Sequence, residues 1–172
     1  MGGIVSAFQF ISYKLDIFQF DVTKDVKSLL FNNVLTPDQV ELSISIRNPL
    51  HIRSDNAYVG GLDILLSLYF SSDHAESNRI AQGRAGVSGY FKVVEGPLDP
   101  ELEKNLVRVQ IPAVLFPFVR SAIASLTINA GFPGVILPLI NVQELAKDAG
   151  DKIQVQEAEV SAASPTPSAN LS

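Results

Sequence analysis

The sequence predicts an α+β fold, with a sheet built from the first half of the chain and helices following it. Three observations carry that expectation. Residues 40–47 alternate strictly, with Val40, Leu42, Ile44 and Ile46 facing one way and Glu41, Ser43, Ser45 and Arg47 the other. That is the period-two signature of a half-solvated antiparallel strand. Three further runs rich in Phe, Ile, Leu, Val and Tyr lie around it, separated by polar turns. After Glu95-Gly96-Pro97 the apolar period lengthens to the 3.6 of a helix.

Taken in order, residues 8–22 form the first strand, with Phe8, Phe10, Tyr13, Leu15, Ile17, Phe18, Phe20 and Val22. The alternation slips near Ile11 and again near Phe18, as it does where a bulge adds one residue. Residues 24–38 are a connection holding an apolar knot, Leu29-Leu30-Phe31, and a turn at Thr36-Pro37-Asp38. The clean strand at 40–47 ends at Asn48-Pro49. A third strand spans Tyr58–Phe70 and a fourth Arg79–Val94, the latter with Gly86 and Gly89 inside it. Glycines there predict a flat patch or a close approach by another backbone.

The second half is helical. Leu115, Phe118, Val119, Ala122, Ile123 and Leu126 recur at helical spacing between Ile111 and Gly131. Pro112 suits a first helical position and Gly131 the residue past the end. Pro117 predicts a start nearer Leu115 or a kink. Arg120 is the only charge, so this helix is apolar around most of its circumference and should be buried on several sides. We read from it a subunit interface carried by Val119, Ala122, Ile123 and Leu126. Phe132 to Ile140 is an extended apolar loop with two prolines. Asn141 then caps a short helix over Val142–Asp148, with Glu144 placed for a capping box. Residues 1–150 read as one domain. Residues 151–172, rich in Gln, Glu, Ala, Ser and Pro, read as a disordered C-terminal tail.

Composition removes several function classes. Thirteen Lys and Arg against 18 Asp and Glu give a net charge of −5 over 172 residues, which argues against a nucleic-acid partner because phosphate binding needs a positive face. The absence of Cys excludes disulfides, zinc thiolates and thiol nucleophiles. No run of about 18 uncharged apolar residues predicts membrane insertion, and no basic leader precedes an apolar stretch; a cytoplasmic protein is expected. His51 and His74 stand in polar loops without a carboxylate cluster, so no metal site is expected. Gly86-Val87-Ser88-Gly89 falls one residue short of a nucleophile elbow and lies in a strand pattern. No catalytic set and no cofactor is expected; the chain reads as a non-enzyme. What remains is apolar surface outside regular strands: Leu29-Leu30-Phe31, Phe116 and Phe118, and 132–140. It either closes over the sheet as core or lines a groove for segments of another chain.

Leu115-Phe116-Pro117-Phe118-Val119-Arg120, then Ile123-Ala124-Ser125-Leu126, Gly131-Phe132-Pro133 and Leu137-Pro138-Leu139-Ile140-Asn141-Val142 resemble the hallmark of the SecB export chaperones. That family carries Leu-Phe-Pro-Tyr-Ala-Arg, Gly-Thr-Phe-Pro and Ala-Pro-Val-Asn-Phe at matching spacing, and Gly89-Tyr90-Phe91 resembles its Gly-x-Phe. The resemblance implies a four-stranded antiparallel sheet with a long and a short helix on one face, assembled as a dimer of dimers, a homotetramer. It implies an ATP-independent holdase that grips unfolded precursor proteins in an apolar groove and keeps them competent for export. Carried over by position, the groove residues are Leu29, Leu30, Phe31, Leu115, Phe118, Phe132, Val135 and Ile136. The resemblance implies docking of the SecA motor at Asp16 and Asp21, although Arg84 stands at a usually acidic position. Alternatives are a dedicated client such as an antitoxin, or a structural assembly subunit without client binding.

Overall fold

The computed structural model describes residues 8–23, 35–94, 96–132 and 134–158. Strands β1 (Phe8–Val22), β2 (Val40–Ile52), β3 (Ala57–Tyr69) and β4 (Arg79–Val93) are followed by α1 (Pro100–Asn105), a π-helical turn (Leu106–Gln110), α2 (Ile111–Asn129), α3 (Val142–Ala149) and β5 (Gln156–Ala158). Among the described residues the sheet order is β1-β4-β3-β2-β5. The pairings β1–β4, β4–β3 and β3–β2 are antiparallel. β1 carries register shifts at Phe10/Ser12 and Leu15/Ile17, so the slip near Ile11 is a bulge there, and the second bulge is at Asp16, two residues before the slip expected near Phe18.

Two strand expectations need correction. The sheet has five strands and is mixed, because β5 pairs parallel to β2 at Leu50–Ile52. This strand comes from the stretch read as tail. A polar composition cannot build a core, but an edge strand needs only backbone partners and a few anchors. Here Ile153 is buried in the core, the Gln154 N–H donates to Asn48 Oδ1 at 3.1 Å, and Glu157 accepts from Arg53 Nε at 2.8 Å. Residues 161–172, expected to be disordered, lie outside the described residues. β2 also runs past Asn48-Pro49 to Ile52, with its irregularity between Arg47 and Leu50. Proline is tolerated because its missing donor falls at a bulge.

The helical region is one continuous run from Pro100 to Asn129. Asp99 caps it, accepting from the Glu101 and Leu102 amides. The π turn widens the spiral, so the Ile111 amide reaches Leu106 rather than Val107. That displaces the Arg108 carbonyl from the ring of Pro112. α2 starts at Ile111 rather than nearer Leu115, so Pro117 lies well inside it. Its missing bond frees the Ala113 carbonyl, and Ala113 and Pro117 are both exposed, where water can replace the lost donor. By length and composition this helix could cross a membrane, but half of its most apolar window is buried against the chain.

α2 packs on β3 and β4. Leu62, Ile64, Leu66 and Leu68 of β3 and Ala81, Ala85, Val87 and Phe91 of β4 face it and are buried. Two glycines make the approach possible. A Cβ at Gly60 would collide with Ile111 Cγ2, and one at Gly89 would lie 2.7 Å from Leu115 Cδ2. On the opposite face, Gly61 and Gly86 clear a trough for the Arg47 guanidinium and the Asp63 carboxylate. Arg47 pairs there with Asp63 at 3.1 Å and Asp16 at 2.7 Å, tying β2, β3 and β1 together. α3 packs mainly on the π turn, with Ala146 buried; Asn141 caps it through the Gln143 and Glu144 amides.

Gly60→Ala is expected to lower stability by about 1–3 kcal/mol, the usual range for overpacking, read as a fall in urea midpoint with an unchanged slope. The docking of β5 should depend on acid. Hydrogen bonds from Arg53 and from His51 hold the Glu157 carboxyl below the ordinary carboxylate value of 4.5. A depressed carboxylate contributes stability above its unfolded pKa and loses it as pH falls through the lower folded value. The Ala158 methyl resonance should therefore titrate toward an undocked position below pH ~4.5, and Glu157→Gln should reproduce that position at neutral pH.

Candidate functional site

An open apolar groove of about 400 Å³ lies beside β2, lined by Leu35, Pro37, Val40, Leu42, Gly134, Val135, Ile136 and Pro138. Its floor is set by strand order. α2 packs on β3 and β4, and among the described residues the loop at 134–138 lies beside Val40 and Leu42 of β2. Val40 and Leu42 point to the helix-facing side and remain half-buried. The loop has no helix or strand, and Pro138, with its ring-fixed φ and no N–H to donate, disfavours both there. Ile136 is 77% exposed and Leu139 84%, far above what a core residue of that size shows.

The residues carried over from the family resemblance do not converge on one place. Val135 and Ile136 line the groove. Leu115 is fully buried over Gly89 and belongs to the core. Phe132 is 6% exposed, with its ring 5.4 Å from Phe20, and closes the core at the end of α2. Phe118 stacks on Tyr13 at 4.1 Å and lies near Phe10, by β1 rather than in the groove. Leu29, Leu30 and Phe31 lie outside the described residues. Leu35, Pro37, Val40, Leu42 and Pro138 were missed. The alternation at 40–47 identified an apolar face correctly, but sequence does not say that β2 sits outside the helix's cover.

Two other apolar surfaces are exposed, one bordering the groove at Ile136 and one at the far edge of the sheet. Phe116, Pro117, Ser121 and Ala124 on the outer side of α2 form a hollow of about 370 Å³ with Ile136 and Leu139. Among the described residues β1 is an edge strand, with Ile11, Tyr13, Leu15, Phe18 and Val22 exposed, an apolar edge of the kind proteins normally cover. Val119, Ala122, Ile123 and Leu126, read as a subunit interface, are buried within the chain itself, on the face of α2 that meets the sheet. The helix is apolar on both sides, and periodicity alone does not tell which side the sheet takes.

Of the acidic residues expected to dock a partner, Asp16 is engaged at home. Its carboxylate accepts from Arg47 at 2.7 Å and from the Ser88 hydroxyl. Burial works against its charge, but Ser88 and Arg47 outweigh that and leave its pKa below the ordinary value. Asp21 accepts from Gln19 and stands five residues along the strand, roughly 17 Å away. Arg84 reaches Asp63 at 3.4 Å. A polar nook at the far end of β2 holds His51, Arg53, Tyr58, Glu103 and Glu157. Burial, then its 2.6 Å hydrogen bond to Glu103, pushes the Tyr58 phenol up, so it acts as a fixed donor. Among the described residues no three His, Asp or Glu side chains are grouped to hold a metal.

The family model for the preprotein translocase subunit SecB matches residues 26–152, well over half of the chain. A SecB protein-export protein of Ehrlichia ruminantium is 24% identical over 158 residues, 78% of this chain and 88% of its own. An uncharacterized protein of Methanocaldococcus jannaschii is 43% identical over 56 residues, and the SecB of Anaplasma phagocytophilum 39% identical over 74. Those two segments cover 33% and 37% of this chain and 35% and 45% of the relatives' own lengths. Among solved structures, a SecB-like chaperone of Mycobacterium tuberculosis bound to a peptide of the HigA1 antitoxin superposes with a TM-score of 0.56 at 15% identity, over 78% of this chain and 91% of that one. That likeness speaks for the fold, and the sequence match for membership: the chain belongs to the SecB family of chaperones.

Proposed function

We propose that the chain is an ATP-independent holdase that takes extended, unfolded segments of other proteins into the β2 groove. The observation that carries this is the groove itself, an apolar trough with one wall on β2, at the end away from β5, and the other on an irregular loop whose Ile136 is 77% exposed. Each Val- or Leu-sized client side chain that enters it gains about 1.5–3 kcal/mol, before the cost of ordering the client. Burial of that kind selects for apolar content and not for sequence, as a holdase requires.

In this reading the chaperone works in the cytoplasm as a dimer of dimers, with no cofactor. The exposed edge of β1 is the surface that favours self-association. Export is the main purpose the family suggests, with precursor proteins as clients. A dedicated client, such as an antitoxin, is the second reading. It is favoured by the Asp16 carboxylate being spent on Arg47 and Ser88 and by Arg84 on the same face, which weakens an acidic docking surface for SecA. The tuberculosis protein with its antitoxin peptide illustrates such a client.

The test is light scattering from a denatured, aggregation-prone protein diluted into buffer without ATP. Wild type should suppress scattering at about one tetramer per client. Ile136→Asp should weaken suppression at least tenfold while the urea midpoint and oligomer mass stay near wild type, because this side chain is largely exposed. Phe132→Asp should instead unfold the chain, since it buries a charge in the core. Suppression unaffected by Ile136→Asp would rule the groove out as the client site. A pull-down with SecA separates general export from a dedicated client.

A further inference from the structure

Thr127 is fully buried in an apolar setting, between Ile123 and Leu126 on the core face of α2. A hydroxyl there costs stability unless it is satisfied, and Val would fill the same volume. The hydroxyl is used in both senses. It donates to the carbonyls of Ala124 at 3.0 Å and Ile123 at 3.2 Å, and accepts from the Val135 amide at 3.1 Å. The bonds to Ala124 and Ile123 are the ordinary local back-bonds of a helical threonine. The Val135 bond spans eight residues and leaves the helix. Thr127 holds the chain a second time through its carbonyl, which accepts from the Phe132 amide at 2.9 Å. Just before the first of these anchors along the chain it turns at Gly131, whose φ of +83° is the left-handed region that favours glycine. Gly134 then comes within reach of the Ile128 side chain.

Val135, Ile136 and Pro138 are the outer wall of the groove, facing Leu35, Val40 and Leu42. We propose that Thr127 is the positioning residue of that wall: its buried hydroxyl, by accepting from the Val135 amide, fixes how far the loop stands from β2 and so keeps the groove open to an extended apolar segment. The proposal rests on the groove being the client site. Without the acceptor, Val135 must turn its N–H to water, and the wall leaves its place either toward Val40 or away from it.

The test compares Thr127→Val with Thr127→Ser, and adds Thr127→Ala, which differs from the serine variant by the hydroxyl alone. The readouts are hydrogen exchange at the Val135 amide, affinity for a fluorescein-labelled peptide of about eight alternating Leu and Ser residues, and the urea midpoint. Loss of the tether should speed Val135 exchange and weaken the peptide about tenfold each in the Val and Ala variants, while Ser retains both. Val87→Ala, a buried β4 residue two strands from β2, is the control: it should lower the midpoint and leave affinity unchanged. Val and Ala variants that bind like wild type overturn the proposal, whether or not Val135 exchange has changed, as does affinity that merely tracks the midpoint through all variants. Failure of wild type to bind the peptide is a different result: it rejects the groove as the client site, and with it Thr127 as that site's positioning residue. Exchange at Val135 still reports whether the hydroxyl holds the loop.

Discussion

The close approach of α2 to β3 and β4 determines which surfaces of this chain are covered and which stay open. It depends on two missing side chains, at Gly60 and Gly89, over which Ile111 and Leu115 settle. Because the helix lies low on the middle of the sheet, it buries Leu62, Ile64, Val87 and Phe91 completely or nearly so. It extends over part of β1, where Phe118 stacks on Tyr13, and does not extend across β2 in the same way. β1 is left with its aromatic row partly open, and β2 is left to a loop. The groove is thus a consequence of where the helix stops covering the sheet.

The opposite face obeys a different logic. Gly61 and Gly86 clear space there for a guanidinium and a carboxylate, and Arg47, Asp63, Asp16 and Arg84 form ion pairs with one another across four strands. Removing one member of such a partly buried set leaves another charge uncompensated. The face is cross-braced and close to electrically balanced, in contrast to the uncommitted apolar surface beside β2 and along α2. A chaperone that recognises unfolded chains by burial needs the second kind of surface and gains nothing from the first.

Much of this was legible in the sequence, for identifiable reasons. β1 runs from Phe8 to Val22 as the alternation said, and Ile11 is the bulge that its first slip marked. Asn141 caps the short helix where expected. β5 was not legible, because a three-residue edge strand held by Glu157, Arg53 and Ile153 leaves no periodic trace. The groove was half legible. Val135 and Ile136 stand out as apolar residues in a proline-bounded loop, but Val40 and Leu42 look identical to Ile44 and Ile46 until strand order is known. Thr127 was invisible for a similar reason: its hydroxyl matters only through Val135, which local sequence does not link to it. Leu115 and Phe132 carry the family's motif and yet serve the core, so a motif's spacing did not separate residues that shape the site from residues that touch a client.

The central claim is that clients lie along the helix-facing side of β2, and one pair of neighbouring residues tests it. A photo-crosslinking amino acid placed at Leu42 points toward the groove, and one placed at Glu41 points to the opposite face. With an unfolded client present, strong adducts are predicted from Leu42 and from Ile136 and none above background from Glu41. Equal adducts from Leu42 and Glu41, or adducts only from Ala124 on the outer side of α2, would contradict it.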